Sequence, residues 1–342
     1  MKRASLSTTA ALAALLLAAC VSGQRDKQIA TEYFDLGNAY LDLGQYDRAI
    51  AEFQSALRLD PGYVKASYNL ALTYVKARRT DDAIAILKRL LQSDASNTQV
   101  LSALGWAYHA AGKDTEALAQ YDAVVRLSPA DLNALYNSGI ILWKLKRPQD
   151  ALDRLSILLD KSPDDADGLY AAGSILLSLD KPADSGDMLA RYLAKKPDDV
   201  DAWFMVAAGA EQQKKYTRAL EAYDKAASLD TTHGDAWFGE ARLLLTVIQD
   251  PQRGLDALQK ALDAGYKDQK GIEALLASPI LLDRDKVEAA LNDKGLLPAA
   301  GGGTLPPTGS ETTVPSSPGA PSAPGPGAPS SAPPQSPPPA LK

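Results

Sequence analysis

Residues 30–63 read ATEYFDLGNAYLDLGQYDRAIAEFQSALRLDPGY, and this stretch decides the fold because its pattern returns every 34 residues. The small residue Gly37 is followed at that spacing by Ala71, Gly105, Gly139, Gly173, Ala207 and Ala241. Ala49 is followed by Ala83, Ala117, Ala151, Ser185 and Ala219, then by Gly254 after a single inserted residue. Pro61 returns as Pro129, Pro163 and Pro197, with Ala95 and Thr231 standing in at the other steps. Seven consecutive small residues in one column mark an internal repeat. Small residues belong where two helices cross, since a larger side chain would push the axes apart. Large residues fill the remaining core columns: Tyr40, Tyr74, Tyr108, Leu142, Leu176 and Leu244 on a first helix (A), then Phe53, Leu87, Tyr121, Leu155, Leu189, Tyr223 and Leu258 on a second (B). The prolines fall just after helix B, where a helix interior cannot continue. No window alternates as a strand would. The spacing predicts an all-α array of helical hairpins, and one hairpin cannot bury its apolar face without a neighbour.

Leu36-Gly37, Tyr40, Gly44, Tyr46, Ala49, Phe53, Ala56 and Pro61 fall in order on the signature of the tetratricopeptide repeat, which this stretch resembles closely. The resemblance implies a right-handed superhelix of about seven repeats, placed at 30–63, 64–97, 98–131, 132–165, 166–199, 200–233 and 234–267. The seventh is the least regular, with Glu240 in a core column and an extra residue assigned to its turn. Within 268–297, Lys270–Ala277 and Asp285–Asn292 read as two short capping helices broken by Pro279.

Both ends differ in composition from the array. Lys2 and Arg3 precede ten Ala and Leu residues, Ala10 to Ala19, and then Cys20, the one cysteine of the chain. Ten helical residues reach ~15 Å, about half the hydrocarbon core of a bilayer, which suits a signal-peptide core better than a span. Leu17-Ala18-Ala19-Cys20 resembles a bacterial lipobox, which implies removal of 1–19, lipidation of Cys20 and a short anchor linker over 20–29. Several acyl chains hold a protein on a membrane more durably than one. Val21, a non-acidic residue after the cysteine, favours the outer membrane by the sorting tendency of such lipoproteins. The last segment, 298–342, holds 14 of the 22 prolines and reads as a disordered spacer biased to polyproline II, with Pro-x-x-Pro spacings such as Pro315, Pro318 and Pro321.

Charge and residue counts narrow the function. The net charge is −6, and with Lys2 and Arg3 removed it is −8. No basic cluster offers a nucleic-acid surface, and one cysteine with two distant histidines excludes the usual zinc sites. His109 has no Ser, Cys or carboxylate at nucleophile–base spacing in its own repeat, and His233 falls in an inter-repeat turn at the surface. The chain therefore reads as a non-enzyme with no cofactor, no metal and no small-molecule substrate. The family resemblance implies a concave groove for a protein or peptide partner, lined mainly by helix A. Its columns place Phe34, Tyr68, Tyr136, Tyr170, Phe204 and Phe238 in one row, and Asn38, Trp106, His109, Trp143, Glu211 and Arg242 in the others. An aromatic in six of seven repeats, with Trp106 and Trp143 central, suits an extended or helical peptide. The family's C-terminal carboxylate clamp is incomplete: Asn38 and Asn69 match its asparagines, but Phe34, Gln99 and Ala103 replace its cations. Asp167, Asp201 and Asp235 form an acidic column that suits a basic segment of a partner and reads first as helix-start aspartates. Two functions stay open: an envelope-bound interaction scaffold or assembly adaptor, and a surface-exposed structural or host-contact lipoprotein whose Pro-rich tail makes the contacts.

Overall fold

The computed structural model describes residues 23–297 and 339–341, so the signal segment, Cys20 and most of the Pro-rich tail lie outside the described residues. The chain divides into two compact units, residues 1–157 with 334–342, and residues 158–333. The described elements are helical. In the first unit α1 (23–42) pairs with α2 (Tyr46–Leu59), α3 (Val64–Lys76) with α4 (Thr80–Ser93), and α5 (Thr98–Ala110) with α6 (Asp114–Leu127); α7 (Leu132–Lys144) is followed by α8 (Pro148–Lys161), which runs on into the second unit. The second unit continues with α9 (Ala166–Ser178) and α10 (Pro182–Leu193), α11 (Val200–Gln212) and α12 (Tyr216–Leu229), then α13 (Gly234–Leu243) with α14 (Pro251–Asp263), and ends in α15 (Gln269–Ala277) and α16 (Arg284–Asp293). Residues 23–29, read from the sequence as anchor linker, are helical and continuous with α1.

The two size columns meet within each hairpin. A Cβ added to Gly37 would lie 2.6 Å from the Phe53 ring, one on Gly105 3.0 Å from Tyr121, one on Gly139 3.2 Å from Leu155 and one on Gly173 2.8 Å from Leu189. The bulky residue of helix B therefore occupies the space a side chain on helix A would need. Phe53, Leu155 and Leu189 are fully buried by this contact and Tyr121 is nearly so.

Both ends of helix A follow fixed backbone rules. Asn97, Asp131, Asp165, Asp199 and His233 each cap one, accepting from the main-chain N–H three residues on at 2.8–3.0 Å. Such caps contribute ~1 kcal/mol each. His233 is therefore a half-buried capping residue rather than a free surface histidine, its Nδ1 accepting from Ala236. Asp167, Asp201 and Asp235 lie in the first turns of α9, α11 and α13, where a negative charge meets the positive helix end. At the other end, the turn into helix B is a Schellman motif, with Gln45 N–H donating to Tyr40 C=O and Arg79 N–H to Tyr74 C=O. It demands a left-handed residue. Gly44 and Gly112 supply it freely at φ 69° and 72°, whereas Arg78, Lys146, Asp180 and Lys214 adopt it at φ 57–61°. For these four the geometry is imposed by the hairpin against the steric preference of a side chain.

The seventh repeat absorbs its inserted residue inside helix A. A π turn, Leu244–Ile248, ends α13, and the left-handed residue moves to Gln249. The closing bond becomes Asp250 N–H to Leu244 C=O, six residues instead of five. The extra residue assigned from the sequence to the turn is thus accommodated one step earlier, in the helix. The Leu245 carbonyl accepts from Leu282 N–H at 3.0 Å, within the link between α15 and α16. Ile272, Leu275, Val287 and Leu291 from these two helices are buried against Phe238, Leu258 and Tyr266.

Glu240 is the exception in this core. It is 4% exposed, one carboxylate oxygen makes no hydrogen bond, and the other lies 3.4 Å from Arg253. Burial, reinforced by the charge of Asp224, pushes its carboxyl above the ordinary range, with Arg253 and Lys260 opposing. A folded-state pKa above the unfolded one means that the carboxyl's contribution is fully present below the unfolded pKa and lost as pH rises through the folded one. Glu240→Gln is therefore expected to stabilise the chain at pH 7 by roughly 1 kcal/mol. That gain should vanish below the ordinary carboxylate range, as read from urea melts of both chains at neutral and acid pH.

Candidate peptide-binding groove

The aromatic row chosen from the sequence is largely committed to packing. Phe34 lies against Phe53 and Tyr63, with ring centroids 5.9 and 5.1 Å away. Tyr170 meets Tyr192 at 5.1 Å, Phe204 meets Tyr223 and His233 at 5.7 and 5.3 Å, and Phe238 stacks on Tyr266 at 4.0 Å. Phe34, Tyr68, Tyr170 and Phe238 are each at most 5% exposed, so they are core residues and not free anchors. The physical reason is their register: this column faces the helix B of its own hairpin and the turn beyond it. Tyr136 and Phe204 keep part of their surface.

The other two columns leave more side chain accessible in the first unit. Asn38, Trp106, His109 and Trp143 are all partly exposed. They differ from Trp203 and Trp237, whose indole N–H groups are spent on the Pro197 and Thr231 carbonyls of adjacent turns. His109 does have a carboxylate partner in its repeat. Its Nδ1 lies 2.6 Å from Asp114 Oδ1, and Lys144 Nζ approaches the other Asp114 oxygen at 2.8 Å. Asp114 opens α6, and the tight turn after α5 folds it back beside the last residues of helix A, a closeness that five positions of sequence conceal. Burial disfavours the Asp114 carboxylate, but hydrogen bonds from Lys144 and His109 outweigh it and hold its pKa below the ordinary value. This is a charged fixture that joins α5, α6 and α7.

In the second unit, Glu211 and Arg242 bind each other. Arg242 Nη1 donates to Glu211 Oε1, Nη2 donates to Oε2 at 2.6 Å, and the Tyr223 hydroxyl donates to Oε2 at 3.1 Å. Both side chains are about one-fifth exposed, and the fork-to-fork geometry uses the groups that a ligand would need.

Asn69 lies outside the three groove columns but carries a main-chain contact. It is fully buried, yet its amide faces a peptide segment. Oδ1 accepts from the Leu341 N–H at 2.9 Å, and Nδ2 donates to the Leu341 carbonyl at 2.8 Å. Nδ2 also donates to Asn38 Oδ1 at 2.7 Å, which ties the two asparagines together across neighbouring hairpins. One amide thus reads both main-chain groups of a single residue. The signal in the sequence is the pair of asparagines 31 residues apart: Asn38 stands among the groove residues, and Asn69 only among the positions of a carboxylate clamp whose cations are missing. A main-chain contact of this kind has no use for them.

A tandem of helical hairpins with small-to-large packing columns defines an α-solenoid repeat protein. Family models described as tetratricopeptide repeat match residues 40–107, and residues 102–166, 136–200 and 170–233, which together span more than half of the chain. The chain belongs to the tetratricopeptide-repeat family. Its fold is similar to the C-terminal part of a repeat protein of this type from Cytophaga hutchinsonii, with TM-score 0.61 and 16% identity over 71% of this chain and 99% of that one. It is also similar to a tetratricopeptide repeat protein from Parabacteroides merdae, with TM-score 0.52 and 18% identity over 72% of this chain and 98% of that one. No curated protein matches the sequence.

Proposed function

We propose that this chain is an interaction adaptor of the bacterial cell envelope, lipid-anchored through Cys20, that holds an extended peptide segment of a protein partner along the helix A face of its first unit. The observation that carries this reading is the Asn69 amide, which pairs with the N–H and C=O of one peptide residue. Two main-chain bonds make binding tolerant of sequence, and neighbouring side chains then set preference. Trp106 and Trp143 are the partly exposed aromatics fitted to that second task, since an indole supplies large contact area at low conformational cost. The reading contains no chemical step. His109 is held by Asp114, and Arg242 by Glu211, so both act as structure.

The anchor is supported by the Leu17-Ala18-Ala19-Cys20 run alone. No helix of the described residues is long and apolar enough to cross a membrane.

Crosslinked pull-downs from membranes test both parts. Trp106→Ala with Trp143→Ala is expected to reduce partner recovery at least tenfold while the helical CD signal stays unchanged. Cys20→Ser is expected to leave an unprocessed chain that no longer labels with palmitate. Unchanged recovery would remove the two tryptophans from the site, and continued labelling would remove the anchor.

A further inference from the structure

The first unit already holds a segment of its own chain. Leu341 is half-buried, with its N–H and C=O both taken by Asn69, while Pro339 and Ala340 are exposed. The acceptor is a burial-locked side chain: Asn69 has no exposed surface, and Asn38 takes one of its amide protons. A fixed amide with one donor and one acceptor left over is complementary to one extended residue, and Leu341 satisfies both. We propose that residues 339–341 are a resident ligand of this groove, a tethered competitor that an incoming partner segment must displace. The proposal rests on the groove reading above and says what occupies the groove when the partner is absent.

The chemistry of the contact limits what can compete. The groove takes an internal residue of an extended chain, because the oxygen it binds is the Leu341 carbonyl and not a carboxylate. That residue must keep its N–H, so it cannot be proline. Residues 334–342 read PQSPPPALK, and Ala340 and Leu341 are the first two residues to offer an N–H after three consecutive prolines. Leu341 is also the one leucine after Leu305, so the segment differs from the rest of the proline-rich stretch in offering a large apolar side chain. The prolines before it favour the extended polyproline II form, which lessens the entropy lost on docking. Covalent attachment holds such a segment at an effective concentration on the order of 1 mM, so a free peptide of the same sequence competes poorly. A partner prevails by adding contacts beyond the two main-chain bonds, for which Trp106 and Trp143 are the aromatics offered.

The test uses the detergent-solubilised full chain and a fluorescein-labelled peptide of residues 334–342, followed by anisotropy. Leu341→Pro removes the N–H that Asn69 accepts and lies outside the helical array. The Leu341→Pro chain is expected to bind the labelled peptide about tenfold more tightly than the unaltered chain. Adding Asn69→Ala to it should abolish that gain with the helical CD signal retained. If Asn69→Ala loses the helical signal, Asn38→Ala, which removes only the acceptor that aims the amide, replaces it and should reduce the gain. Equal peptide affinity for the unaltered and Leu341→Pro chains overturns self-occupancy and leaves the groove reading standing. A peptide that binds neither chain overturns both. A dimer in sedimentation that Leu341→Pro converts to monomer assigns the occupant to a second copy and overturns docking within one chain.

Discussion

Gly173→Val is expected to destabilise the second unit by about 3 kcal/mol, at the upper end of what overpacking a tight core costs. A Cβ at position 173 would sit 2.8 Å from Leu189 Cγ and 3.0 Å from its Cδ2, before the two valine methyls are added. Leu189 is fully buried and has nowhere to turn. Either the side chain leaves its rotamer well or α9 and α10 separate, and the hairpin loses the contact that defines it. Gly186, on α10 of the same hairpin, provides the control because a Cβ there meets nothing within 4 Å. Gly186→Ala should stabilise by about 1 kcal/mol through helix propensity alone. Thermal melts of the two variants should move in opposite directions. Two glycines of one repeat would then be separated by packing rather than by conformational freedom.

The second large effect concerns the ion pair of the second unit. Glu211→Ala is expected to cost about 3 kcal/mol, because it leaves the Arg242 guanidinium with a lost partner in a mostly buried position. The Tyr223 hydroxyl loses its acceptor in the same substitution. Replacing both charges, Glu211→Leu with Arg242→Met, should recover most of that loss, since an apolar pair of similar volume removes the unpaired buried charge and leaves only the Tyr223 hydroxyl without its acceptor. Equilibrium unfolding in urea separates the single from the double variant. A double variant no better than the single would mean that Glu211 acts through a partner other than Arg242.

The hairpin architecture was legible in the sequence because it depends on one period. Gly37, Ala49 and Pro61 and their successors report a helix crossing, a second crossing and a turn, and each of these is a local requirement repeated at 34 residues. The site was less legible because contacts between repeats follow another interval. Asn38 meets Asn69 at a separation of 31, Glu211 meets Arg242 at 31, Asp122 meets Arg154 at 32 and Asp81 meets Lys113 at 32. A neighbour in space is thus one repeat ahead less about a helical turn, and columns read at 34 list those partners separately. His109 with Asp114 escaped for a related reason: a turn joins residues that helical spacing keeps apart. The buried aromatic row shows the complementary error. Phe34, Tyr68, Tyr170 and Phe238 recur faithfully, but recurrence marks what every hairpin must pack as readily as what a ligand touches.

The π turn at Leu244–Ile248 carries a wider implication for how such chains change length. A residue gained inside a helix ordinarily rotates everything beyond it by about 100°, turning a buried face toward water. Here the surplus is taken up as a single wider loop of backbone, and the helix that follows still presents Gly254, Ala257, Leu258 and Ala261 inward. The carbonyl thrown out of register is claimed by Leu282 from the terminal helices. An insertion of this sort is a phase error corrected on the spot, and the segment supplying the missing donor fixes where in the array it can be tolerated. The last hairpin has that donor within reach, which makes it the place where the period can slip by one without the stack losing alignment.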